Sequence, residues 1–194
     1  MSKVASLLHG RCKCTAEQLI AAAKTSVGIS EPHYAFQLLD AIKEMEHISR
    51  RIKSYDVQIK AYVDELCPNL LSIPGVGYTT AGLIAGEIRD INRFHSAESL
   101  ISYSGIDVTV YESGKYKAKN CMPSKKGSKY LLYALFQVSR VIWQHDPVFQ
   151  AYYKKKQSEG KHYYVILGHM QKKVIRVVYS ILKNDTTYKG VPQA

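Results

Sequence analysis

Two stretches of this chain hold residue types whose spacing could act on a phosphodiester. The first is Ile73-Pro74-Gly75-Val76-Gly77, followed by Thr79 and Thr80. Two glycines bracketing one small apolar residue predict a hairpin too tight for side chains. A helix opening behind it leaves its first backbone N–H groups without intrahelical partners. Such a nest at the positive end of a helix dipole suits a phosphate oxygen, and the two threonines add hydroxyls. The same Pro-Gly-Val-Gly pattern also makes plain helix–helix turns. The second stretch is Glu112-Ser113-Gly114-Lys115, with Lys117, Lys125, Lys126 and Lys129 downstream. A serine that attacks a phosphodiester needs an exposed hydroxyl and positive charge on the non-bridging oxygens. Gly114 would allow close backbone approach. Ser-Gly pairs are commonplace in hairpin turns. Ser124 and Ser128 compete for the role, Ser128 also being placed to cap a helix. Local pattern leaves the nucleophile open among the three.

Charge points the same way. The chain carries a formal +11, but residues 1–67 hold 9 Lys/Arg against 8 Asp/Glu, and residues 68–194 hold 18 against 8. The positive field therefore begins with the Pro-Gly-Val-Gly hairpin. Within 115–129 there are six lysines and no acid, which predicts a polyanion-binding surface in preference to a merely solvated loop. Nucleic acid is the expected partner, gripped through its backbone. No metal site is expected: Cys12, Cys14 and His9 lack the paired spacing of structural zinc, and Cys67 and Cys121 stand alone. Asp107, Glu112 and Asp146 are too few, and too mixed with lysines, for a two-metal nuclease.

Composition sets the frame for these residues. With 194 residues, 46% hydrophobic and 6 prolines, the chain is long and apolar enough for a real core plus an extension. The first residues have no basic leader with an apolar run, and no apolar stretch approaches the roughly 20 residues that span a bilayer. An intracellular, cytoplasmic protein is expected, nucleoid-associated when bound to DNA and without a membrane partner.

The elements that must position the hairpin and Ser113 are mainly α. A segment 1–30 contains a short helix over 15–26, capped by Thr15. A helix from about Pro32 to Leu66 forms an arm, 31–67. Its apolar residues at Ile48, Ile52, Tyr55, Ile59, Tyr62 and Leu66 step by 4, 3, 4, 3, 4, a coiled-coil seam. The added three-residue step from Met45 to Ile48 resembles a stammer. At about 50 Å the helix is long for a compact domain of this size, so it is expected to pair with another chain or domain. A domain over 68–185 follows, with a helix–hairpin–helix over Leu70–Ile88, a loop over Asp90–Phe94 and a helix from Ser96. A β-hairpin or paired extended loop falls in 106–121, with Glu112–Lys115 as its turn. Helices start at about Lys129, Asp146 and Tyr164, and a polar tail covers 186–194.

In order, Ile73-Pro74-Gly75-Val76-Gly77 with Thr80-Ala81, Phe94-His95-Ser96-Ala97, Tyr103-Ser104-Gly105-Ile106, Glu112-Ser113-Gly114 and Lys125-Lys126-Gly127-Ser128-Lys129-Tyr130-Leu131 carry a resemblance. Over roughly residues 10–185 the chain resembles the C-terminal half of insertion-sequence 110/116/902 family transposases, whose relatives include pilin-inverting recombinases. The resemblance implies a DNA recombinase directed by a guide RNA. Its nucleophilic serine would be Ser113, forming a phosphoserine link to DNA. DNA contacts would fall on Pro74, Gly75, Val76, Gly77, Thr79, Thr80, Lys115, Lys117, Lys125, Lys126, Ser128 and Lys129. The family's magnesium is held by four acidic residues of an N-terminal domain, so this chain itself is expected to hold no cofactor. Self-association through the coiled coil is implied as well. Two departures are expected to matter: these 194 residues are read as lacking the four-carboxylate domain, and Leu132 stands where the family often has Arg. The expectation is therefore a truncated or split chain that binds DNA and self-associates but does not transpose alone. The competing readings are a non-enzymatic helix–hairpin–helix nucleic-acid-binding protein or transposase remnant, and a coiled-coil module docking on RNA.

Overall fold

A computed structural model describes residues 13–28, 31–106 and 127–190, and the backbone of 112–113 and 116–117. The described chain is mainly helical, as its periodicity predicts. It divides into two compact units, 1–50 and 51–194. No helix among the described residues is long and apolar enough to cross a membrane.

In the first unit, helix α1 (Ala16–Lys24) starts where the sequence places its cap. Thr15 Oγ1 accepts from the Gln18 amide at 3.2 Å, and Gln18 Oε1 accepts from the Thr15 amide at 2.9 Å. Helix α2 (Pro32–Leu66) begins in this unit and ends in the second. Its apolar residues Leu38, Ile42 and Met45 and the seam residues Ile48, Ile52 and Tyr55 are all between 41% and 68% exposed. Near the helix end the buried row shifts. Val63 is fully buried, Ile59 is partly buried, and both lie against Gly82, while Tyr62 and Leu66 of the expected seam face solvent.

The second unit is a helical cluster. A 3₁₀ turn (Pro68–Ser72) precedes α3 (Tyr78–Ile88). The first element of the expected helix–hairpin–helix is thus a 3₁₀ turn, with Pro68 at its start. Within the expected loop Asp90–Phe94 the chain makes another 3₁₀ turn (Ile91–Arg93), capped by Asp90. Helix α4 (Ala97–Ser104) starts on Ser96 and ends on Gly105 at φ 73°, the left-handed region that glycine adopts freely. Strands β1 (Glu112–Ser113) and β2 (Tyr116–Lys117) pair antiparallel, Ser113 opposite Tyr116. The expected turn at 112–115 is therefore corrected in its first half: Glu112 and Ser113 are strand residues, while 114 and 115 lie outside the described residues. Helices α5 (Lys129–His145), α6 (Pro147–Ser158) and α7 (Tyr163–Asn184) complete the unit.

Helices α5 and α7 carry the core because both keep an apolar stripe at helical spacing. Leu131, Ala134, Leu135, Val138 and Ile142 of α5 are fully buried, as are Met170, Val174, Ile175 and Val178 of α7. Helix α5 packs against α3, α6 and α7, and α7 also covers α4. Asp146 joins α5 to α6. Its Oδ1 accepts from the amides of Val148 and Phe149, both at 2.9 Å, while its Oδ2 accepts the Tyr188 hydroxyl at 2.6 Å. The segment after α7 is thus tied back: the Tyr188 amide also donates to Ser72 Oγ at 2.7 Å.

Asp146→Ala removes the cap of α6 and leaves the Tyr188 hydroxyl without this acceptor. The expected loss is about 2 kcal/mol of stability, read from the urea midpoint. An unchanged midpoint would show that Asp146 is not the clasp described.

Candidate nucleic-acid interface

The turn between the 3₁₀ segment and α3 is built from one buried and one open side. Ile73 and Val76 face the core, 1% and 8% exposed, and the Val76 amide closes the turn on Ile73 O at 3.0 Å. Gly75 has φ 87°, and a Cβ there would stand 3.1 Å from Val141 Cβ and Cγ1 on α5. Only glycine meets both demands without strain. Gly77 differs: its φ of −100° and ψ of 175° suit any residue, and a Cβ there would meet nothing within 4 Å.

Behind Gly77 the helix terminus is uncapped. The first intrahelical bond runs from the Ala81 amide to Gly77 O at 2.8 Å, and no side chain caps the start. The amides of Tyr78, Thr79 and Thr80 therefore have no backbone acceptor among the described residues. Gly77, Tyr78 and Thr79 are exposed. Beside them, the Lys60 ammonium lies 5.4 Å from the Tyr78 ring centroid. The Asp64 carboxylate accepts the Tyr78 hydroxyl and holds its pKa above the usual phenol value. An exposed group of amides at the dipole's positive end suits an anion, and one cation, Lys60, and one carboxylate, Asp64, stand beside it at Tyr78.

At the other end of α3, about 15 Å away by helical rise, the chain leading out of α4 meets the chain leading into α5. A Cβ on Gly127 would overlap the backbone of Gly105 and Ser104. The Ser128 amide donates to Tyr103 O at 2.9 Å. Ser128 Oγ accepts from the Leu131 amide at 3.1 Å and donates to Glu87 Oε2 at 2.6 Å. Both ends of the segment carrying β1 and β2 are thus held at one point, beneath α3.

Residues 67–154 match the family model described as Transposase IS116/IS110/IS902 family. The chain carries a domain of this transposase family. It is 30% identical over 146 residues to the "Insertion element IS110 uncharacterized 43.6 kDa protein" of Streptomyces coelicolor, covering 74% of this chain and 35% of that protein. It is 25% identical over 178 residues to the "Pilin gene-inverting protein" of Moraxella bovis, covering 80% and 55%. The transposase for insertion sequence element IS1111A of Coxiella burnetii is 30% identical over 104 residues, covering 53% and 28%. The chain spans about a third to a half of the length of these relatives.

The transposase domain places Pro74, Gly75, Val76 and Gly77 in the turn, with Val76 buried, and Thr79 and Thr80 in the first turn of α3. Ser113 lies on β1, and Lys117 on β2, opposite Glu112. Lys115, Lys125 and Lys126 lie outside the described residues, as do Ser124, Cys12, Cys121, His9 and Asp107. Ser128 is taken up by the α5 cap and Glu87, so its one hydroxyl proton is already given to a carboxylate. Lys129 is exposed, its ammonium 5.0 Å from the Tyr130 ring centroid. Leu132, half-buried, packs against the core. Glu87 escaped the sequence reading because its partner lies 41 residues away. Of the cysteines, burial pushes the Cys67 thiol up, away from reactivity. Among the described residues no three His, Cys, Asp or Glu side chains gather as a metal site.

Gly127→Ala is expected to cost about 2 kcal/mol or more, because its methyl group has only backbone to displace. The control is Gly86→Ala, exposed on α3 with open space around it, which should stabilise by about 0.5–1 kcal/mol. Denaturation midpoints shifting the same way in both variants would contradict the close approach at Gly127.

Proposed function

We propose that this chain is the C-terminal half of a serine-dependent DNA transposase or site-specific recombinase, and that its turn at Pro74–Gly77 grips the DNA backbone. The observation that carries the reading is the open nest formed by the amides of Tyr78, Thr79 and Thr80 behind Gly77, inside the stretch that matches the family. The name of the Moraxella relatives, pilin gene-inverting protein, supports strand exchange as the outcome. The excess of 18 Lys/Arg over 8 Asp/Glu in residues 68–194 supports a polyanionic partner. Backbone contacts of this kind position the protein and carry no sequence information, which leaves target choice to another component, here a guide RNA.

In this reading Ser113 is the nucleophile. Its Oγ would attack a DNA phosphorus, forming a phosphoserine bond as the bond to one deoxyribose oxygen breaks. The serine proton is lost and the departing sugar oxygen gains one, so the phosphodiester energy is kept for rejoining. Lys115, Lys117, Lys125, Lys126 and Lys129 would neutralise the charge that develops on the phosphoryl oxygens. Magnesium would be held by the four carboxylates of an acidic domain of the whole recombinase. Self-association would use the exposed seam of α2, which leaves Leu38, Ile42, Met45, Ile48 and Ile52 in water.

Gly77→Asp separates binding from stability. Aspartate is at least as good an N-cap as glycine, so the melting temperature should hold or rise slightly. A carboxylate in the nest should weaken duplex DNA binding roughly tenfold, measured by fluorescence anisotropy. Undiminished affinity would remove the turn from the interface.

Ser113→Ala, mixed with a suicide DNA substrate and an acidic-domain partner, should trap no covalent protein–DNA adduct, while duplex affinity stays unchanged. As much adduct as in the wild type would refute the nucleophile assignment.

A further inference from the structure

A cavity of about 720 Å³ lies between α5 and α7, away from the turn at Gly77. Along α5 its Tyr133 is about 12 Å by helical rise from Val141, the residue that backs Gly75. Its aromatic walls are Tyr133 and Phe136 from α5 and Tyr164 from α7, and Lys129, Lys172 and His169 stand at its polar positions. Tyr133 and Tyr164 are 57% and 64% exposed. Single exposed aromatics are ordinary, but a contiguous aromatic concavity with a cationic rim is not. The Phe136 and Tyr164 rings are within 13° of parallel, with centroids 6.5 Å apart. They share an orientation that lets a flat group stack on their faces. The run of rings continues outward, with Tyr163 edge-on to Tyr164 at 5.4 Å and Tyr153 beyond it.

The charge around these rings is mainly positive. Among the described residues no Asp or Glu lines the cavity, and Glu159, near His169, is paired with Lys156. The Arg140 guanidinium lies 6.0 Å from the Phe136 ring centroid. Burial lowers the pKa of His169, and Lys156, Lys172 and Lys161 lower it further against Glu159, which marks how many cations converge there. Flat apolar faces beside converging cations match a ligand that is flat on one side and anionic on the other, namely a nucleotide. Bases in a duplex are stacked on each other and cannot present a face.

We propose that this cavity binds an unpaired base of single-stranded DNA, stacked on Tyr133, Phe136 and Tyr164, with a flanking phosphate on Lys129. The proposal rests on DNA being the partner of this chain and assigns it a second, strand-selective site. Such a site would hold a strand opened during exchange while the turn at Gly77 holds paired DNA.

The test titrates the full chain with a labelled oligothymidylate of about 12 nucleotides, with the RNA oligomer of the same length, and with duplex DNA. The double variant Tyr133→Ala/Tyr164→Ala changes two exposed side chains, and Tyr133→Phe/Tyr164→Phe keeps the rings. The alanine pair should lose roughly tenfold or more of its affinity for the single DNA strand, the phenylalanine pair should keep it, and both should bind duplex as the wild type does. Photocrosslinking with 5-iododeoxyuridine should place the adduct on Tyr133, Phe136 or Tyr164. Equal single-strand affinity in the alanine pair, or a crosslink elsewhere, overturns the proposal. Tighter, ring-dependent binding of the RNA overturns the choice of DNA as occupant. Ring-dependent binding of the single strand without duplex binding would sink the backbone-grip reading and leave this one standing, whereas a wild type that binds neither sinks both.

Discussion

The second unit depends on one buried stripe, the inward face of α5. Leu131, Ala134, Leu135, Val138 and Ile142 have no exposed surface, and each large one contributes on the order of 1.5–3 kcal/mol by burial. Every part of the candidate interface is referred to this helix. Its start is fixed by Ser128 and Glu87, its middle backs the turn through Val141 and Gly75, and its end hands over to α6 through Asp146. A shift of α5 would move all three together. The turn and the base of the β1–β2 segment are therefore held in fixed relation without touching each other, joined by the rigid length of α3.

The two glycines of the turn divide structure from binding. Gly75 is demanded by the fold: its left-handed backbone and the 3.1 Å approach of Val141 exclude a side chain. Gly77 is demanded by nothing in the protein. Its backbone is ordinary, its surroundings are empty, and a Ser or Asp there would cap α3. A helix start left bare and exposed, when capping residues serve Thr15, Ser96, Ser128 and Asp146 in this same chain, gives up stability at one place. The proposed ligand supplies what is missing, since a phosphate accepts from the same amides a cap would occupy.

Local signals in the sequence predicted most of the helices, for a physical reason. Caps at Thr15, Ser96, Ser128 and Asp146 and glycine at 105 act within three or four residues, so a single pass along the chain finds them. The nest behind Gly77 is equally local. What escaped were contacts between distant segments: Glu87 with Ser128, and Tyr188 with Ser72 and Asp146. The heptad reading also failed to foresee Val63, because a seam repeats evenly whereas burial follows the neighbour, here α3 with Gly82 against Ile59 and Val63. The turn expected at 112–115 lost its first half because its Glu and Ser could pair across to Lys117 and Tyr116, a choice that backbone register decides and composition does not.

The tyrosines were hidden in a different way. Tyr133, Tyr163 and Tyr164 sit among apolar residues of amphipathic helices, where a sequence pattern reads them as core. Only the packing of α5 on α7 reveals that Leu131, Leu135 and Ile166 fill the interior and leave the rings outside, at 57%, 36% and 64% exposure. Tyrosine tolerates that position because its hydroxyl stays hydrated while the ring remains available for stacking. The placement has a consequence for how the chain could handle DNA. An amide nest recognises phosphate and is indifferent to pairing, whereas a ring recognises an exposed base face and is not. With both proposed sites on elements packed against α5, paired and unpaired DNA would be held at once by one unit. A strand-exchange reaction needs this at the moment when one strand is free and its duplex is still bound.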